Sequence, residues 1–112
     1  MASKSFEVKD YRVYLGSGSI GSVHIAGYVN CLDAASNWSY QQNIYFVTDG
    51  SYLLPPSYNP AAKSGAIFRP ISEMGLYIDL LRNEKPVFST MDDQDPDNNA
   101  LRTYPEPVGE GE

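Results

Sequence analysis

Several stretches of the chain place residue types at spacings that chemistry uses. Gly16-x-Gly18-x-x-Gly21 has the spacing of a dinucleotide-binding turn. There, glycines bring the backbone close to a pyrophosphate, and a helix must come next so that its first amides meet the charge. The residues beyond this turn are Val23-His24-Ile25-Ala26-Gly27-Tyr28-Val29, which alternate like a strand. The segment Gly16–Gly21 is therefore expected to be a glycine turn, and no cofactor is implied. His24 and Cys31 are the single histidine and the single cysteine. They lie seven residues apart on one predicted strand, so strict alternation sends them to opposite faces. That excludes the hydrogen bond a Cys–His nucleophile needs, and two such residues supply too few ligands for zinc. Asp92, Asp93, Asp95 and Asp97 have the composition of a cation loop, but the glycine and the closing glutamate of a calcium loop are missing at their offsets. No catalytic residue, metal or cofactor is expected. Pro55-Pro56-Ser57-Tyr58 matches a polyproline recognition pattern, but four residues are a weak signal, and a stiff loop accounts for them.

The distinctive chemistry is aromatic. The chain has nine tyrosines in 112 residues. Tyr11, Tyr14, Tyr28 and Tyr45 fall on predicted strands, interleaved with Lys9, Arg12, His24 and Arg69. Rings on an open sheet face flanked by cations can stack unpaired bases. The same rings also suit a core or a subunit interface. Tyr11, Tyr28, Tyr45, Arg12 and Arg69 are the candidate binding face.

These side chains must be positioned by strands. Residues Phe6–Leu15, Ser22–Leu32, Asn43–Thr48 and Ala66–Arg69 carry the β-branched and aromatic content of strands. In the second of these, Val23, Ile25, Gly27, Val29 and Cys31 share one face, and His24, Ala26, Tyr28, Asn30 and Leu32 the other. Asp33–Gln42 reads as a loop, and Gly50–Gly65, with three prolines, as a longer one. Ser72 opens a predicted helix ending near Asn83–Glu84, with Met74, Tyr77, Ile78 and Leu81 on its buried face. The competing pattern is a hairpin of Leu76–Leu81 with Val87–Met91. Under either pattern Val87–Thr90 is extended. Consecutive strands joined by turns, then one helix, specify an α+β fold: a curved antiparallel β-sheet of four or more strands with one helix.

The chain is 42% apolar and 20% charged, ordinary for one globular domain and too apolar for global disorder. The net charge of −6 is uneven. Residues 1–90 carry seven bases and seven acids, whereas residues 91–112 carry seven acids against Arg102 alone. The expected organisation is a domain over residues 1–91 and an acidic, extended C-terminal tail over residues 92–112. No apolar run reaches membrane-spanning length, and no hydrophobic leader core follows Met1. The single cysteine fits a reducing compartment. A cytoplasmic protein without membrane attachment is expected.

The layout of Ser22–Asp33, Asn43–Thr48 and Gly65-Ala66-Ile67-Phe68-Arg69-Pro70-Ile71-Ser72-Glu73-Met74-Gly75 resembles the Whirly and transcriptional-coactivator class of single-stranded-DNA-binding folds. Within that class it is similar to a small cyanobacterial group. The resemblance covers residues 6–90 and implies single-stranded nucleic acid as a ligand. The loops Gly16–Gly21 and Asp33–Gln42 hold no Lys or Arg, unlike the basic loops of the DNA-binding members, so charge disfavours that ligand. The expected function is a non-catalytic binding or regulatory module, homo-oligomeric as a dimer, with a protein partner. The alternative is weak single-stranded DNA or RNA binding on the tyrosine-rich face.

Overall fold

Two sheets and one helix build the molecule, an α+β fold. The computed structural model describes residues 3–34, 37–95 and 98–103. The larger sheet has five strands in the order β2-β3-β4-β6-β5: β2 (Asp10–Ile20), β3 (Val23–Leu32), β4 (Gln41–Val47), β6 (Ser64–Pro70) and β5 (Ser57–Asn59). All neighbours are antiparallel except β4 and β6, which run parallel with Ile44 opposite Ile67 and Tyr45 opposite Phe68. The smaller sheet is antiparallel in the order β1-β7-β8: β1 (Ser3–Glu7), β7 (Val87–Asp92) and β8 (Ala100–Thr103). A 3-10 turn (Ile71–Glu73) leads into α1 (Met74–Asn83).

One face of the five-stranded sheet carries the main core. Val29, Cys31, Ile44, Phe46 and Ile67 pack there against Met74, Tyr77, Ile78 and Leu81 of α1. The helix and its buried stripe follow the sequence expectation, and the hairpin pattern is not used. The cap differs. Ser72 lies inside the 3-10 turn, and its amide donates to Asp49 Oδ1 at 3.2 Å. A residue from the segment after β4 thus supplies the capping oxygen. The small sheet covers the rest of the same face. Gln42 Nε2 donates to the Thr90 carbonyl at 3.2 Å, and Met91 is fully buried with Phe6 and Tyr58.

Three features correct the sequence reading. The stretch Gly16–Ile20 is strand, not turn. β2 runs through it with a bulge between Leu15 and Gly18, and only Gly21-Ser22 turns. Gly21 takes φ +58°, as the first residue of a two-residue hairpin turn requires. In β3 a second bulge between Ile25 and Gly27 reverses the alternation. Val23 and Ile25 therefore join Tyr28 and Tyr45 on the face opposite Val29 and Cys31. Last, the domain does not end at residue 91. β8 pairs with β7 in a hairpin, Leu101 packs on the core and Asn99 is buried. Asp92, which read as the start of the tail, helps to close this hairpin. Asp92 Oδ1 accepts from the amides of Gln94 (2.8 Å) and Asp95 (3.1 Å), and Asn99 bonds both backbone groups of Asp92. The amides of Gln94 and Asp95, with the Asn98 side chain, hold the Asp92 carboxyl below the usual carboxylate range. Residues 104–112 lie outside the described residues.

Gly65 marks a close approach of the two sheets. A Cβ there would run into Gln42 Oε1 and lie 2.7 Å from Met91 Sδ. Gly75, near the start of α1, faces open space. Gly65→Ala should lower stability by about 1–3 kcal/mol through overpacking. Gly75→Ala should raise it by up to about 1 kcal/mol. Urea midpoints of the two variants check both signs.

Candidate functional site

The face of the large sheet turned away from α1 is the most chemically organised surface among the described residues. Strand register alone sets its pattern. Cα partners align Tyr14, Tyr28, Tyr45 and Phe68 across β2, β3, β4 and β6, and the neighbouring row runs Arg12, Asn30, Asn43, Ala66. Cross-strand partners share a face and lie close enough to touch.

The aromatic row is a continuous ladder. Tyr14 stacks on Tyr28 with centroids 5.1 Å apart, Tyr28 meets Tyr45 edge-on at 6.0 Å, and Tyr45 stacks on Phe68 at 5.2 Å. Contacts of this kind contribute about 0.5–1.5 kcal/mol each beyond area burial. The rings thus spend their faces on one another. Tyr14, at the end of the row, is 47% exposed. Burial, then the nearby Tyr28 hydroxyl, pushes the Tyr45 phenol above its ordinary value, so it stays a hydrogen-bond donor at neutral pH.

The second row and its neighbour Gln41 bring three amides together. Asn30 Nδ2 donates to Gln41 Oε1 at 2.9 Å and to Asn43 Oδ1 at 2.7 Å, and Asn43 Nδ2 reaches Ser64 Oγ at 3.4 Å. Asn30 Oδ1 and Gln41 Nε2 have no protein partner among the described residues. They are a free acceptor and a free donor on two side chains already bonded to each other. Arg12, Tyr28, Asn30, Gln41, Asn43 and Tyr45 line an open groove of about 430 Å³, with Arg12 its one charged residue. The other end of this face is closed. Leu53 and Leu54 lie over Ile25, Val47 and Phe68.

Three of the five candidate residues, Arg12, Tyr28 and Tyr45, are brought together in this groove. Tyr11 and Arg69 are not. Tyr11 is opposite Cys31 and packs on the helix-side core. Arg69 is opposite Phe46 and forms a bidentate pair with Glu73, Nε to Oε1 and Nη2 to Oε2, both 2.7 Å. Sequence reasoning missed the amides. The signal was present in the alternation Gln41, Asn43, Tyr45, which puts two amides and a ring on one side of β4.

The other motifs are absorbed into structure. The glycine fingerprint lies in a β-hairpin, Tyr58 of the Pro-Pro-Ser-Tyr motif is buried on β5, and Gly50–Gly65 forms the connection from β4 to β6. A further hollow of about 500 Å³ lies beside Arg69, Glu73, Tyr77 and Leu101. Its one charged pair is already bonded to itself. Among the described residues, no three His, Cys, Asp or Glu side chains are grouped to hold a metal ion, and no helix is long and apolar enough to cross a membrane. Burial pushes the Cys31 thiol up to about 12, so iodoacetamide should label it only at the rate the chain unfolds.

The hydrogen bonds from Arg69 hold the Glu73 carboxyl below its ordinary value. That stabilisation is present above the unfolded-state pKa and is lost as pH falls through the folded-state value. Arg69→Met should return the Glu73 midpoint to that of an ordinary glutamate in an NMR titration. At neutral pH the cost should stay below about 1 kcal/mol, because both side chains are partly exposed. Protein-family models, curated proteins and solved structures contain no match to this chain, so the Whirly resemblance rests on the layout of strands and helix alone.

Proposed function

We propose that the chain is a non-catalytic, homo-oligomeric binding module that takes an extended segment of a protein partner in the amide groove. The observation that carries this is the free acceptor–donor pair, Asn30 Oδ1 and Gln41 Nε2, beside Tyr28 and Tyr45. A peptide unit offers the matching donor and acceptor. Arg12 as the sole charge favours a segment that is neutral or carries one acidic side chain. The alternative ligand, a single-stranded nucleic acid, needs ring faces to stack on. Here neighbouring rings occupy them along the row, and only the end ring, Tyr14, keeps an outer side. The net charge of −6 adds repulsion toward phosphate. A non-secreted, cytoplasmic setting agrees with the one buried thiol.

The test is selection of random peptides on the immobilised protein. Extended sequences should be recovered, and their affinity should fall at least about tenfold, roughly 1.4 kcal/mol, in Gln41→Ala and Arg12→Ala. A single-stranded oligonucleotide of about 20 nucleotides should bind neither the full chain nor a chain ending at Thr103. Salt-sensitive oligonucleotide binding that is lost in Arg12→Ala, with no peptide recovered, overturns the proposal. The truncation stops at Thr103 because an earlier cut removes β8.

A further inference from the structure

The large sheet has two edges, and they are unlike. β5 is three residues long and lies between Pro56 and Pro60. Short length and proline are ordinary protections of an edge. β2 is eleven residues long and, among the described residues, borders no strand on its outer side. From Val13 to Val23 it and its turn contain no charged residue. Among the described residues, seven large apolar side chains are exposed, and four of them are on β2: Val13 (47%), Tyr14 (47%), Leu15 (75%) and Ile20. Three are consecutive, so both faces of the strand are apolar at its free edge. A long apolar edge without charge is a template for another strand.

We propose that β2 pairs antiparallel with β2 of a second copy of this chain, centred on Tyr14. This rests on the homo-oligomeric part of the functional proposal and names its interface. A two-fold axis normal to the sheet keeps each face on its own side, so paired positions must sum to an even number. Centring on Tyr14 opposes Val13 to the partner's Leu15 and Tyr14 to the partner's Tyr14. It also opposes Arg12 to the partner's Gly16. Each exposed apolar residue of the triad then meets an apolar residue, and no charge faces a like charge. The Tyr14 ring leans over Gly16 of its own chain, so Arg12, placed opposite the partner's Gly16, meets the ring of the partner's Tyr14. Tyr14 is the one ring of the ladder with an outer side facing the sheet edge, so pairing joins two four-ring ladders into a row of eight. Centring on Arg12 would oppose two like charges. The bulge between Leu15 and Gly18 ends the pairing after Gly16. The contact is isologous and closes at two copies. Continuation is blocked at the far edge by the prolines around β5.

Sedimentation equilibrium on the full chain should give twice the 12.4 kDa of one copy. Val13→Lys and Leu15→Glu change exposed positions and should each weaken the dimer at least about tenfold. In this register each substituted residue faces the other's position. An equimolar mixture of the two variants should therefore recover the dimer as a heterodimer, with one Lys–Glu pair and one Val–Leu pair. Circular dichroism of each variant checks that it is folded. A monomeric wild-type chain overturns the interface and the homo-oligomeric proposal together. A dimer that survives both substitutions overturns this interface alone. Two monomeric variants that do not recover on mixing overturn the Tyr14 register.

Discussion

The parallel pairing of β4 with β6 is the constraint on which the rest depends. Parallel neighbours cannot be joined by a tight turn, so the chain must leave β4 at Val47 and travel before it can return alongside. The residues between them do three things on the way. Asp49 caps the turn that opens α1, Leu53 and Leu54 cover one end of the outer face, and Ser57–Asn59 adds the far edge strand. The prolines in this stretch suit that work, since only a three-residue strand within it enters a ladder. The return strand then delivers the chain directly into the helix that seals the inner face. Arg69 and Glu73 brace the junction from either side of Pro70.

The same pairing explains why the outer face is open at one end and closed at the other. The connection crosses over Ile25, Val47 and Phe68 and contributes none of the residues that line the groove. Register then sorts residues by kind: rings in one row, amides in the next. An amide row at the margin of a hydrophobic face is tolerated because its members satisfy one another. The groups they leave unmet are accessible to a ligand. The bulge in β3 has a matching role. By reversing alternation it turns Val23 and Ile25 toward the tyrosines and extends an apolar surface that strict alternation would have ended.

Much of the fold was legible in the sequence. The stripe Met74, Tyr77, Ile78, Leu81 announced the helix, and the cores of β3, β4 and β6 were visible in their β-branched and aromatic residues. The features that escaped were of three physical kinds. Bulges carry no sequence period, so Ile25 could not be assigned to a face by counting alone, whereas simple alternation already separates Tyr11 from Arg12. Glycine signals permission to turn rather than a turn: Gly18 stayed in strand opposite Ile25 of β3, and Gly16 lies in the bulge just before it. Charge signals solvent, and Asp92–Asp95 do face solvent. They do so at the tip of a hairpin whose polar side chains bond its own backbone. Arg69 was misassigned for a different reason. A cation beside aromatic residues looks like a ligand group until a glutamate four residues on is seen to claim it.

The placement of β1 bears on how the molecule is made. Its partner is β7, and Ser5 meets Thr90 across a separation of 85 residues. At synthesis rates of about 5–20 residues per second, the first strand emerges on the order of 4 to 20 seconds before the strand that receives it exists. During that interval Phe6 has neither Met91 nor Tyr58 fully in place to bury it. Lys4 and Glu7 flank it within the same short strand, and charges so placed keep an unpaired segment from recruiting a neighbour on the same message. The charged first strand and the β2 edge, uncharged from Val13 onward, therefore differ in when each finds its partner. One must wait for its own chain to finish, and the other need not pair outward until folding is complete.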